Sequence, residues 1–97
     1  MALLVKVDGS KTEIALPKKG LLSTLYMAMD CDMVQELPIS SGPEALEDYE
    51  GVMIDEEGRL TGKKPNHTAD LLSGRENMPY PYQILGDCIF FKEGEIA

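Results

Sequence analysis

Apolar and polar residues alternate over the first part of the chain, in residues 2–16. Every second position from Leu3 to Val7 is apolar, and the same period returns after Asp8-Gly9. A period of two predicts a β-strand, and an Asp-Gly pair between two such runs favours a tight hairpin turn. Pro17 ends the second run because proline cannot continue a ladder of backbone hydrogen bonds. Residues 2–16 are therefore predicted to form a β-hairpin.

A helical period follows in residues 20–29, where the apolar side chains recur at three- and four-residue spacing and form one stripe. Cys31-Asp32 is expected to close this helix. Such a stripe is typical of a helix that packs on a core rather than of a ligand site. Its members are Leu21, Leu22, Leu25, Tyr26 and Met29.

Three short strands are predicted after this helix. The first covers residues 33–37 and stops at Pro38, the second covers 51–54, and the last is the apolar run 88–91. The stretch 39–50 reads as a loop, and so does 73–82, which is rich in proline and glycine.

A turn over residues 55–58 follows the second of these strands, with Gly58 at the position of positive φ and Arg59 opening a returning strand. Farther along, the apolar residues between positions 69 and 72 predict one or two turns of helix, capped by Asn66 or Thr68. Strands and helices mix without a strand-helix-strand repeat. The predicted class is therefore α+β, with a mainly antiparallel sheet.

The length of 97 residues corresponds to one domain, residues 1–97. A net charge of −8 argues against a nucleic-acid binder and against anionic membranes. We expect a cytoplasmic protein, because the first residues lack the pattern of a signal peptide and no apolar run is long enough to span a bilayer. Cys31 and Cys88 show neither metal nor redox spacing, which favours two buried thiols over a disulfide.

The charges are segregated along the chain. Residues 20–58 contain no Lys or Arg, whereas Asp70 is the one acid between Arg59 and Arg75. The acids of the first stretch are Asp30, Asp32, Glu36, Glu44, Glu47, Asp48, Glu50, Asp55, Glu56 and Glu57.

Two binding hypotheses follow from this segregation, and a merely solvated surface is the alternative to both. The acids favour a protein-binding inhibitor or DNA mimic that acts on a basic host protein. The bases favour a site for an anionic, nucleotide-like ligand, built between subunits of a homodimer or higher oligomer. Its predicted residues are Arg59, Lys63, Lys64, Asn66, His67 and Arg75, with Tyr80 or Tyr82 stacking on the ligand.

Catalytic patterns are weak in this sequence. There is a single histidine, and neither a phosphate-binding glycine loop nor the spacing of an EF-hand is present. The acids at Asp30-Cys31-Asp32 and at Asp55-Glu56-Glu57 are typical of exposed turns. We therefore predict no catalytic residue, no cofactor and no metal site, and a protein that is not an enzyme; a small enzyme such as a metal-dependent hydrolase is the alternative.

One segment, Val52-Met-Ile-Asp-Glu-Glu-Gly-Arg-Leu-Thr-Gly-Lys-Lys-Pro-Asn66, has a distinctive order, and Ile84-Leu-Gly-Asp-Cys-Ile-Phe-Phe91 follows it. Together they resemble a family of small domains of unknown function from phages, plasmids and integrative elements. In that family a strand runs into an Asp-Glu-Glu-Gly-Arg type of turn, then a Gly, a Pro and an Asn, and a glycine-bearing strand closes the domain.

The resemblance covers about the C-terminal half, and the chain departs from it between Asp70 and Tyr82. It implies a mobile-element origin, a life inside a bacterial host and, by analogy of class, a counter-defence factor that sequesters a ligand or blocks a host protein. It transfers no activity. A structural domain without a specific ligand is the remaining alternative.

Overall fold

A five-stranded antiparallel sheet forms the centre of the protein. The computed structural model describes residues 1–39, 46, 48–75 and 83–96. The strands lie in the order β2-β1-β5-β4-β3, and every neighbouring pair is antiparallel. The prediction of an α+β fold with a mainly antiparallel sheet and an N-terminal hairpin is confirmed. The elements are β1 (Ala2–Val5), β2 (Lys11–Ile14), α1 (Leu21–Met29), β3 (Val34–Pro38), β4 (Gly51–Asp55), α2 (His67–Leu72) and β5 (Cys88–Phe91).

The central strand β5 is buried along its whole length. Cys88 and Phe90 point to one face of the sheet, and Ile89 and Phe91 point to the other. A strand with apolar residues on both sides needs cover on both faces. The chain supplies it with α1 on one face and α2 on the other.

Two apolar cores result from this arrangement, one on each face. On the α1 face, Leu25 and Met29 of the helix pack with residues of the strands. On the α2 face, Ala69 of the helix and Ile84 do the same. The buried members are Ala2, Leu25, Met29, Met53, Ile89 and Phe91 in the first core, and Val5, Val52, Ala69, Ile84, Cys88 and Phe90 in the second.

The hairpin is shorter than the alternation predicts. The ladder runs from Ala2 opposite Ile14 to Val5 opposite Lys11. Val7 lies beyond it in the turn, where its N–H donates to Asp87 Oδ1 at 2.9 Å.

Helix α1 is confirmed at the predicted position. It begins after Gly20 and ends at Asp30, both of which have left-handed backbone conformations. Leu25 and Met29 are buried as the stripe predicts, but Leu22 is largely exposed and lies outside the core. Neither helix in the described part of the chain has the length and hydropathy of a bilayer span.

The segment after β4 differs from the predicted turn and returning strand. Residues 56–62 form successive tight turns, in which the Thr61 N–H donates to Glu57 O at 3.0 Å. Gly58 does not have a positive φ, whereas Gly62 does, at 72°. Gly58 is instead confined by contact, since a Cβ there would lie 3.2 Å from Leu85 O. The predictions of a positive φ at Gly58 and of a strand from Arg59 were therefore wrong.

A buried amide, that of Asn66, joins α2 to the sheet. Its Nδ2 donates to Val5 O at 3.0 Å and to Gly86 O at 2.9 Å, while its Oδ1 accepts the Ala69 N–H at 3.0 Å and caps α2. The predicted cap is confirmed at Asn66. Two donors and one acceptor on a single planar group are specific to an amide, so aspartate or serine cannot replace all three bonds.

We predict that Asn66→Asp destabilises the fold by about 3 kcal/mol or more at pH 7, because a carboxylate oxygen would then face two carbonyl oxygens in a buried site. Urea denaturation of the variant and of a His67→Ala control measures the difference. The exposed His67 is expected to change stability by less than about 0.5 kcal/mol. Equal losses in the two variants would contradict the role given to the Asn66 side chain.

Candidate functional site

The candidate site lies where the C-terminal end of α1 meets the segment that follows β4. A cavity of about 350 Å³ opens there. Its lining combines four acids with a thiol and one cation from three separate stretches of chain: Asp30, Cys31, Asp32, Asp55, Glu57, Thr61, Gly62 and Lys63.

An ion pair between Lys63 and Asp55 holds this site together. Lys63 Nζ lies 2.7 Å from Asp55 Oδ2, and the two side chains are 19% and 3% exposed. The same ammonium group donates to Met29 O at 3.1 Å and to Asp30 O. A cation at the C-terminus of a helix satisfies carbonyl groups that have no partner within the helix. Lys63 therefore joins β4, the segment that follows it and the end of α1.

Local sequence places both partners of this pair. Asp55 is the last residue of β4, and its Oδ1 accepts the Glu57 N–H at 2.9 Å, which starts the turns that bring Lys63 back. The Lys63 side chain crosses Gly86, where a Cβ would lie 2.7 Å from Lys63 Cδ. Gly86 also has a φ of 83°. Glycine is therefore required there on two counts, for space and for backbone conformation.

The cavity keeps a negative charge after this pairing. Asp30 and Asp32 are exposed, and Glu57 is half-buried. A second cavity of about 370 Å³ shares the loop 30–32 and adds Tyr26 and Met27 to its lining. We call the two together the acidic groove.

The surroundings of Cys31 disfavour its thiolate, which is the reactive form of a cysteine. Burial raises the pKa of the Cys31 thiol, the charge of Asp55 adds to the shift, and Lys63 opposes it. Reactive cysteines need the opposite shift. Cys88, in the second core, is also a free thiol, and its pKa is raised chiefly by burial. The prediction of two thiols is confirmed, although Cys31 is only half-buried.

The part of the chain that the structure describes contains no cluster of side chains arranged to bind a metal ion. No group of three or more His, Cys, Asp or Glu side chains is placed to hold an ion there. Within the groove, the carboxylate of Asp55 is already engaged by Lys63 and by the Glu57 N–H.

Three of the residues predicted for the anionic ligand bond to groups of the protein itself. Asn66 is fully buried, and its amide bonds to protein groups. Arg75 is 7% exposed and donates to Pro38 O at 2.6 Å and to Ser73 O at 3.4 Å. Lys63 is engaged by Asp55. These three side chains are therefore engaged by the protein, and their binding of an anion stays a prediction.

The other predicted residues divide by what the structure describes. Arg59, Lys64 and His67 are exposed, and their binding of an anion stays a prediction. Tyr80 and Tyr82 lie outside the described residues, and so do two members of the acidic run, Glu44 and Glu47.

Three other described acids of the run add no exposed charge to the groove. Asp55 is buried, while Asp48 and Glu50 line a different cavity of about 350 Å³. The convergence of Asp30 and Asp32 with Glu57 was not predicted from the sequence. A signal for it existed in the turns at Asp55 and Gly62, which bring the chain back toward its own acids.

Comparison of the chain with protein-family models, with curated proteins and with solved structures finds no match. The resemblance in residues 52–66 and 84–91 therefore stays a prediction.

We predict that Lys63→Met lowers the free energy of unfolding by about 3 kcal/mol, because it leaves the buried Asp55 carboxylate without its counter-charge. The neighbouring Lys64→Met is the matched control and is expected to cost less than about 0.5 kcal/mol. Urea denaturation measures both. Adding Asp55→Asn to Lys63→Met should restore part of the loss, and a double variant no better than the single one would contradict the pairing.

The buried Asp70 makes stability depend on pH. Burial raises the pKa of its carboxyl group, and the Ile84 N–H, which donates to Asp70 Oδ1 at 2.8 Å, opposes the shift together with the charges of His67 and Arg75. The Asp70 carboxyl group therefore binds a proton more tightly in the folded protein than in the unfolded chain. The stabilisation from protonated Asp70 is complete below the pKa of this group in the unfolded chain, near the ordinary value of 3.8. It is lost as pH rises through the pKa of Asp70 in the folded protein.

We therefore expect the unfolding free energy of Asp70→Asn, minus that of the wild type, to increase as pH rises through this window. Denaturation at a series of pH values from about 3 to 7 measures the difference. Asp8→Asn is the control of opposite sign, because the backbone N–H of Ser10 lowers the pKa of Asp8. Its difference should decrease over the same range. Parallel trends for the two variants would contradict the assignment.

Proposed function

We propose that this protein is a non-catalytic binding protein that uses the acidic groove to bind a basic segment of a partner protein. The observation that carries the proposal is the convergence of Asp30, Asp32 and Glu57 on a cavity whose described lining has Lys63 as its one cation, already paired with Asp55. Fixed carboxylates around a concave surface attract Lys or Arg side chains and exclude anions.

The distribution of charge favours a local contact over imitation of DNA. A mimic of a phosphate backbone needs a long row of exposed charges. In this chain Asp55 interrupts the run by being buried, and Asp48 and Glu50 belong to a separate cavity. A groove with three carboxylates fits one short basic segment better. A basic host protein is the partner that a mobile-element origin would supply.

An anion-binding function has less support from the geometry. Three of its predicted residues, Lys63, Asn66 and Arg75, bond to groups of the protein itself. A catalytic function gains no support from Cys31, because the pKa of its thiol is raised rather than lowered.

Titration of ¹⁵N-labelled protein with octalysine tests the proposal. We expect the NMR signals of the backbone amides to shift most at residues 30–32, 55–57 and 61–63. The affinity for octalysine should fall as the salt concentration increases. Asp32→Asn combined with Glu57→Gln should weaken binding by roughly fivefold, because each exposed charge contributes a few tenths of a kcal/mol or more.

The control carries the same change of net charge elsewhere. Glu13→Gln combined with Glu93→Gln removes two exposed acids outside the groove and should leave the affinity within about twofold. Shifts spread evenly over all acids, or equal losses in the two double variants, would overturn the proposal in favour of diffuse attraction.

A further inference from the structure

The outer face of α1 carries no charge. The helix reads Leu-Leu-Ser-Thr-Leu-Tyr-Met-Ala-Met, and only Leu25 and Met29 among these residues are buried. Leu22 is 54% exposed and Met27 is 83% exposed. A surface helix usually presents charged or polar side chains to water. This one leaves apolar surface uncovered.

Two more exposed apolar residues, Met33 and Leu60, are direct neighbours in sequence of residues that line the groove. Met27 lines the cavity that contains Asp30 and Asp32, and Met33 directly follows Asp32. Leu60 is 84% exposed and directly precedes the lining residue Thr61. We call Met27, Met33 and Leu60 the apolar rim. The acidic groove therefore combines carboxylates with the exposed Met27 in its lining, and Met33 and Leu60 adjoin lining residues along the chain.

This combination favours one kind of occupant. Carboxylates select positive charge, while exposed Met and Leu lose contact with water when an apolar side chain covers them. Methionine is flexible and polarizable, so it adapts to anchors of different shape. An amphipathic helix that lays its apolar residues into a groove, with basic residues beside them, meets both requirements at once.

Charge also argues against two other occupants. A second copy of this chain has a net charge of −8 and would bring its own Asp30 and Asp32 toward those of the first. An anionic membrane would meet the same repulsion. A basic segment meets none.

We propose that the acidic groove and its apolar rim bind an amphipathic basic helix of a partner protein, with Lys or Arg against Asp30, Asp32 and Glu57 and one or two large apolar anchors against Met27 and Leu60. The inference rests on the proposed function and adds the chemistry of the partner to it.

Two synthetic peptides of about 14 residues, a length that gives a helix of about 21 Å, test it. Both carry the same Lys residues. One has Leu at positions spaced as i, i+3 and i+7, and the other has Ser at those positions. Isothermal titration calorimetry with the full chain should show the Leu peptide binding at least tenfold more tightly, because burial of one large apolar side chain corresponds to about that factor.

Variants of the rim separate apolar contact from charge. Met27→Gln and Leu60→Gln should each lower the affinity for the Leu peptide by roughly fivefold and leave the affinity for the Ser peptide unchanged. Leu71→Gln is the matched control, because Leu71 is an exposed apolar residue of α2, which packs on the other face of the sheet. It should affect neither peptide.

Each outcome decides the inference. In one outcome the two peptides bind equally, and Asp32→Asn combined with Glu57→Gln weakens that binding whereas Met27→Gln does not. That result would overturn the amphipathic partner and leave the proposed function standing. Binding that no groove variant changes would overturn both. Light scattering that shows a dimer, converted to a monomer by Met27→Gln, would identify a second copy as the occupant and overturn the inference.

Discussion

Burial of β5 on both faces is the constraint on which the rest of the structure depends. The four residues Cys88–Phe91 offer no polar side chain to water, so each face needs its own apolar cover. Helix α1 covers one face, but the six-residue α2 is too short to be stable alone. The Asn66 amide compensates, because it caps α2 and bonds to Val5 O and Gly86 O on either side.

The geometry of the acidic groove depends on the bonds that hold the connection between β4 and α2 in place. The residues after β4 form tight turns, and Lys63 fixes them by pairing with Asp55 and by bonding to the carbonyl groups at the end of α1. Lys63 thus pairs with the buried Asp55 and with none of the exposed acids of the groove. Because Lys63 is used in this pairing, the groove keeps a negative charge. The groove lies beside α1, whose outer face is apolar.

Much of the fold was predictable because it depends on local pattern. The alternation in the hairpin, the stripe of α1, the apolar run of β5 and the cap at Asn66 are all signals that act over a few residues. The candidate site was less predictable. Arg75 was predicted as a ligand-binding cation, and only the tertiary structure shows that it donates to Pro38 O, as the Asn66 amide does to Val5 O.

The sequence by itself determined the class of fold, the order of its elements and the excess of negative charge, because propensity, period and composition do not depend on distant contacts. The tertiary structure decided which charges meet. Asp55 and Lys63 belong to oppositely charged stretches of the chain, and folding joins them while it gathers Asp30, Asp32 and Glu57 around one cavity. Contacts between charged groups depend on how segments return in space, and that geometry is set by the packing of both helices on β5.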